Sequence, residues 1–220
     1  MVNTDAPEPP PYLPDSTVEP LATRKHDEYY FEDGNIVIQV SGTLFRLWDG
    51  TLRRHSKAFP VPPVSLLDKV QDGTDDEHPL VLEGVDSSDF ERLLWIIYPP
   101  ILGQCKATTP RDWTAILDLA TRWKFLDIRE LAIRELGAFE MDPVEKIELQ
   151  HRYQIKRQWA YSSYIALCSR NHALDVIEGR QLGIETTVNV AFAREKLDKW
   201  GRKKPDEVKK VVAEVFEITE

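Results

Sequence analysis

Cysteine, glycine, positive charge and long apolar runs are all in short supply in this chain of 220 residues. Two cysteines, Cys105 and Cys168, are too few for a disulfide framework, so the fold must rest on a buried core, and the composition fits a reducing compartment. The ten glycines include Gly34, Gly42 and Gly50, each at a turn signal, and they form no phosphate-binding loop of P-loop or dinucleotide type. Nowhere do about 18 apolar residues run unbroken, the length needed to span a membrane as a helix. Met1 to Leu21 is acidic and proline-rich with no apolar stretch, so neither a secretory leader nor a membrane anchor is expected. The predicted location is intracellular, cytoplasmic or nuclear.

With 28 Lys and Arg against 37 Asp and Glu, the formal net charge is −9. Affinity for a phosphate backbone needs clustered cations that release counterions, so nucleic acid is not an expected partner. There is no HExxH pair. Cys168 and His172 stand four apart on a predicted helix, but no second pair completes a zinc site, so neither metal nor cofactor is expected. His26, His78 and His151 sit in polar contexts without a serine nucleophile and a carboxylate beside them. The sequence therefore predicts a binding protein rather than an enzyme.

What is present is a folding chain, 42% hydrophobic and 10% aromatic. Residues 1–27, with Pro7, Pro9, Pro10, Pro11, Pro14 and Pro20, read as a tail that can form neither helix nor central strand. A proline-rich segment can serve as a ligand for aromatic grooves, but no basic-flanked PxxP occurs, so this one reads as a linker. Beyond it, Ile36, Ile38 and Val40 alternate with polar or smaller residues, and after Ser41-Gly42 the strand pattern resumes over Thr43 to Leu47, which predicts a β-hairpin. The spacing turns helical from Thr51, placing Leu52, His55, Ser56 and Phe59 on neighbouring turns before Pro60. Val64 to Val70 adds one short turn, and Gln71 to His78 an acidic loop. A short strand at Leu80 to Leu82 precedes a helix started by a Ser88/Glu91 capping box and carrying Phe90, Leu93, Leu94 and Ile97. Thr109-Pro110 starts another, whose apolar stripe is Trp113, Ile116, Leu117, Ala120 and Trp123. Further starts fall at Asp127 with Glu130 and at Asp142-Pro143, and the remainder is read as helices over 144–155, 159–171, 173–177, 188–200 and 206–217. Arg53, Arg54, His55 and Lys57 read as the polar face of the first helix, and the acidic run over 68–91 and the basic run over 194–210 as solvated surface.

This order of hairpin, helix ending in Ser-x-x-Phe, short strand, helix ending in Tyr and helical pair resembles the BTB/POZ domain. Ile36, Ile38, Val40, Phe45, Leu52, Ser56 and Phe59 carry the first half of the resemblance, and Leu80-Val81-Leu82, Val85, Phe90, Leu93-Leu94, Ile97-Tyr98 and Ala115 to Trp123 the second. It covers residues 28–138. The helical extension over 139–220, with its Asp142-Pro143 start, is similar to that of BTB proteins abundant in mushroom-type fungi. Where family members usually show a His and a basic residue after the second-strand Phe, this chain has Trp48 and Asp49, and the Asp common at the first strand is Asn35. Members that recruit corepressors use such an Asp and basic pair, so these departures argue against that activity.

The resemblance implies an α+β fold, helices packed on a small mixed sheet, with a mostly helical extension. It implies protein partners: a homodimer formed through the first helix, or an adaptor or scaffold linking a substrate to a cullin-type ubiquitin ligase. Dimerisation would bury Leu13, Leu52 and Phe59, which serve equally well as intramolecular core. The candidate interaction residues are Trp48, Asp49, Leu52, His55 and Phe59. The hydrophobic-x-Glu motif of family adaptors has only Val70-Gln71-Asp72 as its nearest match. Two alternatives stand beside this reading: a BTB-containing transcriptional regulator that touches DNA through Arg194 to Lys210, and an enzyme whose site only a folded structure would reveal.

Overall fold

The computed structural model describes residues 23–61, 72–101, 103–199 and 204–218. The hairpin forms as its sequence dictates, β2 (Ile36–Val40) pairing antiparallel with β3 (Thr43–Leu47) and Ile38 standing opposite Phe45. Ser41 and Gly42 take φ of 46° and 76°, the positive values at both central positions that a two-residue turn needs to match strand twist. A short parallel strand, β4 (Leu80–Val81), flanks β2.

The fourth strand corrects the sequence reading, which placed residues 24–27 in the proline-rich tail. β1 (Arg24–Tyr30) pairs in parallel with β3, so the sheet order is β1-β3-β2-β4. Its sequence RKHDEYY carries almost no apolar signal because it is an edge strand, where charged side chains are tolerated and guard the open edge. Only its Tyr29 is buried, at 1% exposure. The alternation predicted for β2 is also incomplete: Val37 is buried along with Ile36, Ile38 and Val40, because β2 is an inner strand.

Helices α1 (Asp49–His55), α2 (Ser87–Ile97), α3 (Pro110–Arg122) and α4 (Leu126–Ala138) complete this half. Thr109 caps α3 as expected, accepting from the Asp112 amide while the Asp112 carboxylate bonds back to the Thr109 amide. The capping boxes expected of Ser88 with Glu91 and of Asp127 with Glu130 do not form. Asp86 caps α2 by accepting from the Ser88 amide at 2.8 Å, and α4 begins at Leu126 with no side-chain cap. The first helix is shorter than its spacing predicts: Ser56 turns extended, and Phe59 reaches the core from the following segment. Phe90 lies at the centre, with Phe45 and Trp123 edge-on at ring separations of 5.0 and 6.0 Å.

The extension holds α5 (Pro143–Arg152), a 3₁₀ turn over Arg157–Ala160, α6 (Tyr161–Ser169), α7 (Val176–Lys199) and α8 (Pro205–Val215). Asp142 caps α5 with bonds from the Val144 and Glu145 amides. Gly183, at φ 78°, kinks α7, and the helix otherwise runs through 178–187, which the sequence spacing leaves as a gap between predicted helices over 173–177 and 188–200. A second apolar core forms around Tyr164 and Phe216, whose rings lie 4.3 Å apart.

The two cores meet across α5, which gives Leu149 and Tyr153 to the first and Val144 and Ile147 to the second. The Trp159 indole donates to the Ile133 carbonyl at 2.8 Å, and Arg129 donates to the Tyr153 carbonyl at 2.6 Å. Gly137 is required there, because a Cβ would stand 3.0 Å from the Trp159 indole nitrogen. The fold class is α+β, a small mixed sheet with packed helices followed by a helical extension.

Candidate functional site

Three chain ends converge at one edge of the sheet. Phe31 leaves β1, Trp48 stands at the N-cap of α1, and Tyr98 closes the C-terminus of α2. The Phe31 and Trp48 rings stack at 4.2 Å and 14°, and the Tyr98 ring meets them at 5.6 and 5.7 Å. All three are half-buried, and with Tyr29, Ile97, Pro99 and Pro100 they line an open cleft of about 410 Å³. The Tyr98 hydroxyl donates to the Trp48 carbonyl at 2.8 Å, and burial pushes its pKa up to about 12, so it remains a donor at neutral pH.

The position of Trp48 is fixed from both sides of the chain. The Asn35 amide donates to the Asp49 carboxylate at 2.7 Å, and the Asp49 backbone N–H returns a bond to the Asn35 side chain at 2.8 Å. Arg53 closes the clamp on Asp49 at 2.9 Å. Burial alone would raise the Asp49 carboxyl, but the bonds from Arg53 and Asn35 outweigh it and hold the pKa below the usual range. Asn35 and Asp49 are thus bonded to each other.

Two donors in this groove have no acceptor. The Tyr29 hydroxyl is buried without a hydrogen-bond partner, and burial pushes its pKa well above the usual value. The Trp48 indole N–H bonds no group among the described residues. The buried Tyr29 hydroxyl forfeits its hydration, typically at about 1–3 kcal/mol, unless a ligand completes it.

A second cleft, of about 470 Å³, opens on the opposite end of α1. Arg54, His55 and Lys57 line it together with Lys124, brought there by the link between α3 and α4. The Ser56 hydroxyl makes this junction, donating to the Trp123 carbonyl while accepting the Ala58 and Phe59 amides at 3.0 Å each. Arg54, Lys57 and Lys124 enter no ion pair among the described residues. Asp127 and Leu126, the latter 64% exposed, complete the wall.

The candidate residues therefore separate. Trp48 lines the aromatic groove, Asp49 clamps it, and His55 faces the basic cleft. Leu52 and Phe59 are 0% and 6% exposed, so they are core, the second of the two roles open to them, and offer no dimer surface in this fold. Leu13, Val64 to Val70 and the Val70-Gln71 part of the adaptor motif lie outside the described residues. Sequence reasoning missed Phe31, Tyr29 and Lys124. Phe31 carried a signal, the last of three consecutive aromatics before the Asp33-Gly34 turn, whereas Lys124 carried none.

Cys168 is buried, its thiol pushed up to about 12 by burial, and His172 is exposed. Among the described residues no group of three or more His, Cys, Asp and Glu is placed to hold a metal, and no helix is long and apolar enough to cross a membrane. In the basic run, Arg194 donates to the Leu167 and Arg170 carbonyls and Lys196 pairs with Glu214, while residues 200–203 lie outside the described set. On α7, Ile184, Val188 and Phe192 repeat every four residues at 84%, 56% and 50% exposure, an apolar stripe facing water.

No protein-family model matches the chain, and no curated protein matches its sequence.

Proposed function

We propose that this chain is a protein-binding module of BTB/POZ type, an intracellular adaptor or scaffold that works by docking rather than by catalysis. The open groove of Phe31, Trp48 and Tyr98 carries the reading. Half-exposed aromatic rings held rigidly by a hydrogen-bonded clamp are the anchors on which docking energy concentrates, since they bury large area with little entropy left to lose. The element order of hairpin, α1, β4, α2 and the α3–α4 pair supports the family part of the proposal.

Self-association through Leu52 and Phe59 is not part of the proposal, because both side chains are spent in the core. The partner is another chain that seats an apolar segment in the groove, and a cullin is one candidate. The test is affinity capture with the full chain against the Trp48→Ala variant, after circular dichroism shows both folded. Partners held by the wild type and lost from the variant are expected, and a cullin among them makes the chain a ligase adaptor. An identical set of captured proteins from both would overturn the groove as the docking surface.

A further inference from the structure

We propose that the aromatic groove is the docking site of the chain's own proline-rich segment, Pro7 to Pro14. The inference rests on the reading of the groove as a docking surface and names its occupant. The segment, Pro-Glu-Pro-Pro-Pro-Tyr-Leu-Pro, lies outside the described residues.

Three features of the groove match that chemistry. Proline-rich peptides bind where flat aromatic faces receive their rings, and Phe31, Trp48 and Tyr98 supply such faces within 6 Å of one another. Proline has a carbonyl but no N–H, so a proline run presents acceptors without offsetting donors. The groove presents donors to meet them: the buried Tyr29 hydroxyl has no hydrogen-bond partner, and the Trp48 indole N–H bonds no group among the described residues. A helix would spend its carbonyls on its own N–H groups and leave these donors unpaired. The charge at the rim is already balanced, because Glu28 pairs with Lys106 at 2.5 Å, so the acidic residues flanking the prolines meet no unpaired carboxylate there.

The chain can reach. β1 runs from Arg24 to Tyr30, about 20 Å at the usual rise per residue, and the groove lies at its far end. The nine residues Asp15 to Thr23 span up to about 30 Å when extended, enough to bring Pro14 back along β1 to Trp48. Occupation in cis makes the segment a competitor of any outside partner, because a tethered ligand acts at an effective concentration on the order of millimolar.

The test is nuclear magnetic resonance on the full chain, with the Trp48 indole peak identified by its loss in Trp48→Phe. The expected result is a set of nuclear Overhauser contacts, surviving tenfold dilution, from the Trp48 ring to the assigned δ-protons of Pro9, Pro10 or Pro11, as distinct from those of Pro99 and Pro100 in the groove wall. They should vanish, and the indole peak shift, when Pro9, Pro10 and Pro11 are changed to Ser. Absence of those contacts, or an indole peak left unmoved in the triple Pro→Ser chain, would overturn the proposal. Contacts that fade on dilution would overturn it too, by placing a second copy's segment in the groove. A groove free of its own segment but still needed for affinity capture would sink this inference alone and leave the function standing.

Discussion

The sheet-and-helix half and the helical extension use their apolar residues differently. In the first, Ile38, Phe45, Phe90, Ile116 and Leu117, which the sequence pattern marks as core, have no exposure at all, and Leu126 at the start of α4 is a scattered exception at 64%. In the extension, Tyr164, Val212 and Phe216 are equally buried, yet Ile177, Ile184, Val188 and Phe192 stay in water. Beyond Gly183 a single stretch of α7 carries apolar residues on two faces, Val190, Ala193 and Leu197 buried and Ile184, Val188 and Phe192 exposed. The lesson is that amphipathic spacing identifies a face but not what covers it.

The comparison can be broken most severely at its centre. Phe90→Ala removes a fully buried ring that touches Phe45 and Trp123, and the expected loss is about 3–5 kcal/mol, enough to unfold the first half in a thermal melt. Retention of a wild-type melting temperature would mean that this core is not the one described. The seam comes next. Trp159→Ala deletes the indole bond to the Ile133 carbonyl and the ring beneath the Lys146 ammonium, 5.0 Å away. The expected cost is about 2–3 kcal/mol, with one calorimetric transition splitting into two as the halves uncouple. A single transition at lower temperature would show instead that the halves fold as one unit without this contact.

Acid separates the halves more gently. Burial, helped by the nearby Arg157 charge, lowers the His151 pKa below its usual 6.5. The unfolded chain therefore takes up this proton more readily than the folded one, so the contribution of His151 to stability is constant above about pH 6.5 and falls as pH drops through the window below it. Denaturant midpoints of the full chain should fall across that window, and His151→Gln should flatten the fall. An unchanged slope in the variant would remove His151 from the account. The smallest effect belongs to the α7 stripe: Ile184→Ser, Val188→Ser and Phe192→Ser should each change stability by no more than about 0.5 kcal/mol, because their side chains are largely exposed already. A loss of several kcal/mol on denaturant titration would show that the stripe packs against something in solution.

Local chemistry was legible wherever it was decided locally. Ser41-Gly42 specified its turn, Thr109-Pro110 and Asp142-Pro143 their helix starts, and Trp113 to Trp123 its buried stripe. The misreadings share a cause. Ser88 lost the cap of α2 to Asp86, a competitor two residues away, and α1 ended early because the Ser56 hydroxyl bonds the carbonyl of Trp123, 67 residues on. β1 escaped because an edge strand needs backbone partners rather than an apolar face. Of the site, Trp48 and Asp49 were readable as departures from a family pattern, while their clamp with Asn35 and Arg53 was not.

By itself, then, the sequence determined the fold class, the core of the first half and most helix boundaries, because turns, caps and amphipathic spacing are short-range properties of consecutive residues. Only the tertiary structure decided that Phe31, Trp48 and Tyr98 share one groove, that Lys124 joins Arg54 and Lys57, and that Leu52 and Phe59 face inward. Those outcomes depend on which surfaces meet, and contacts between residues tens of positions apart are set by packing of the whole chain rather than by any local pattern.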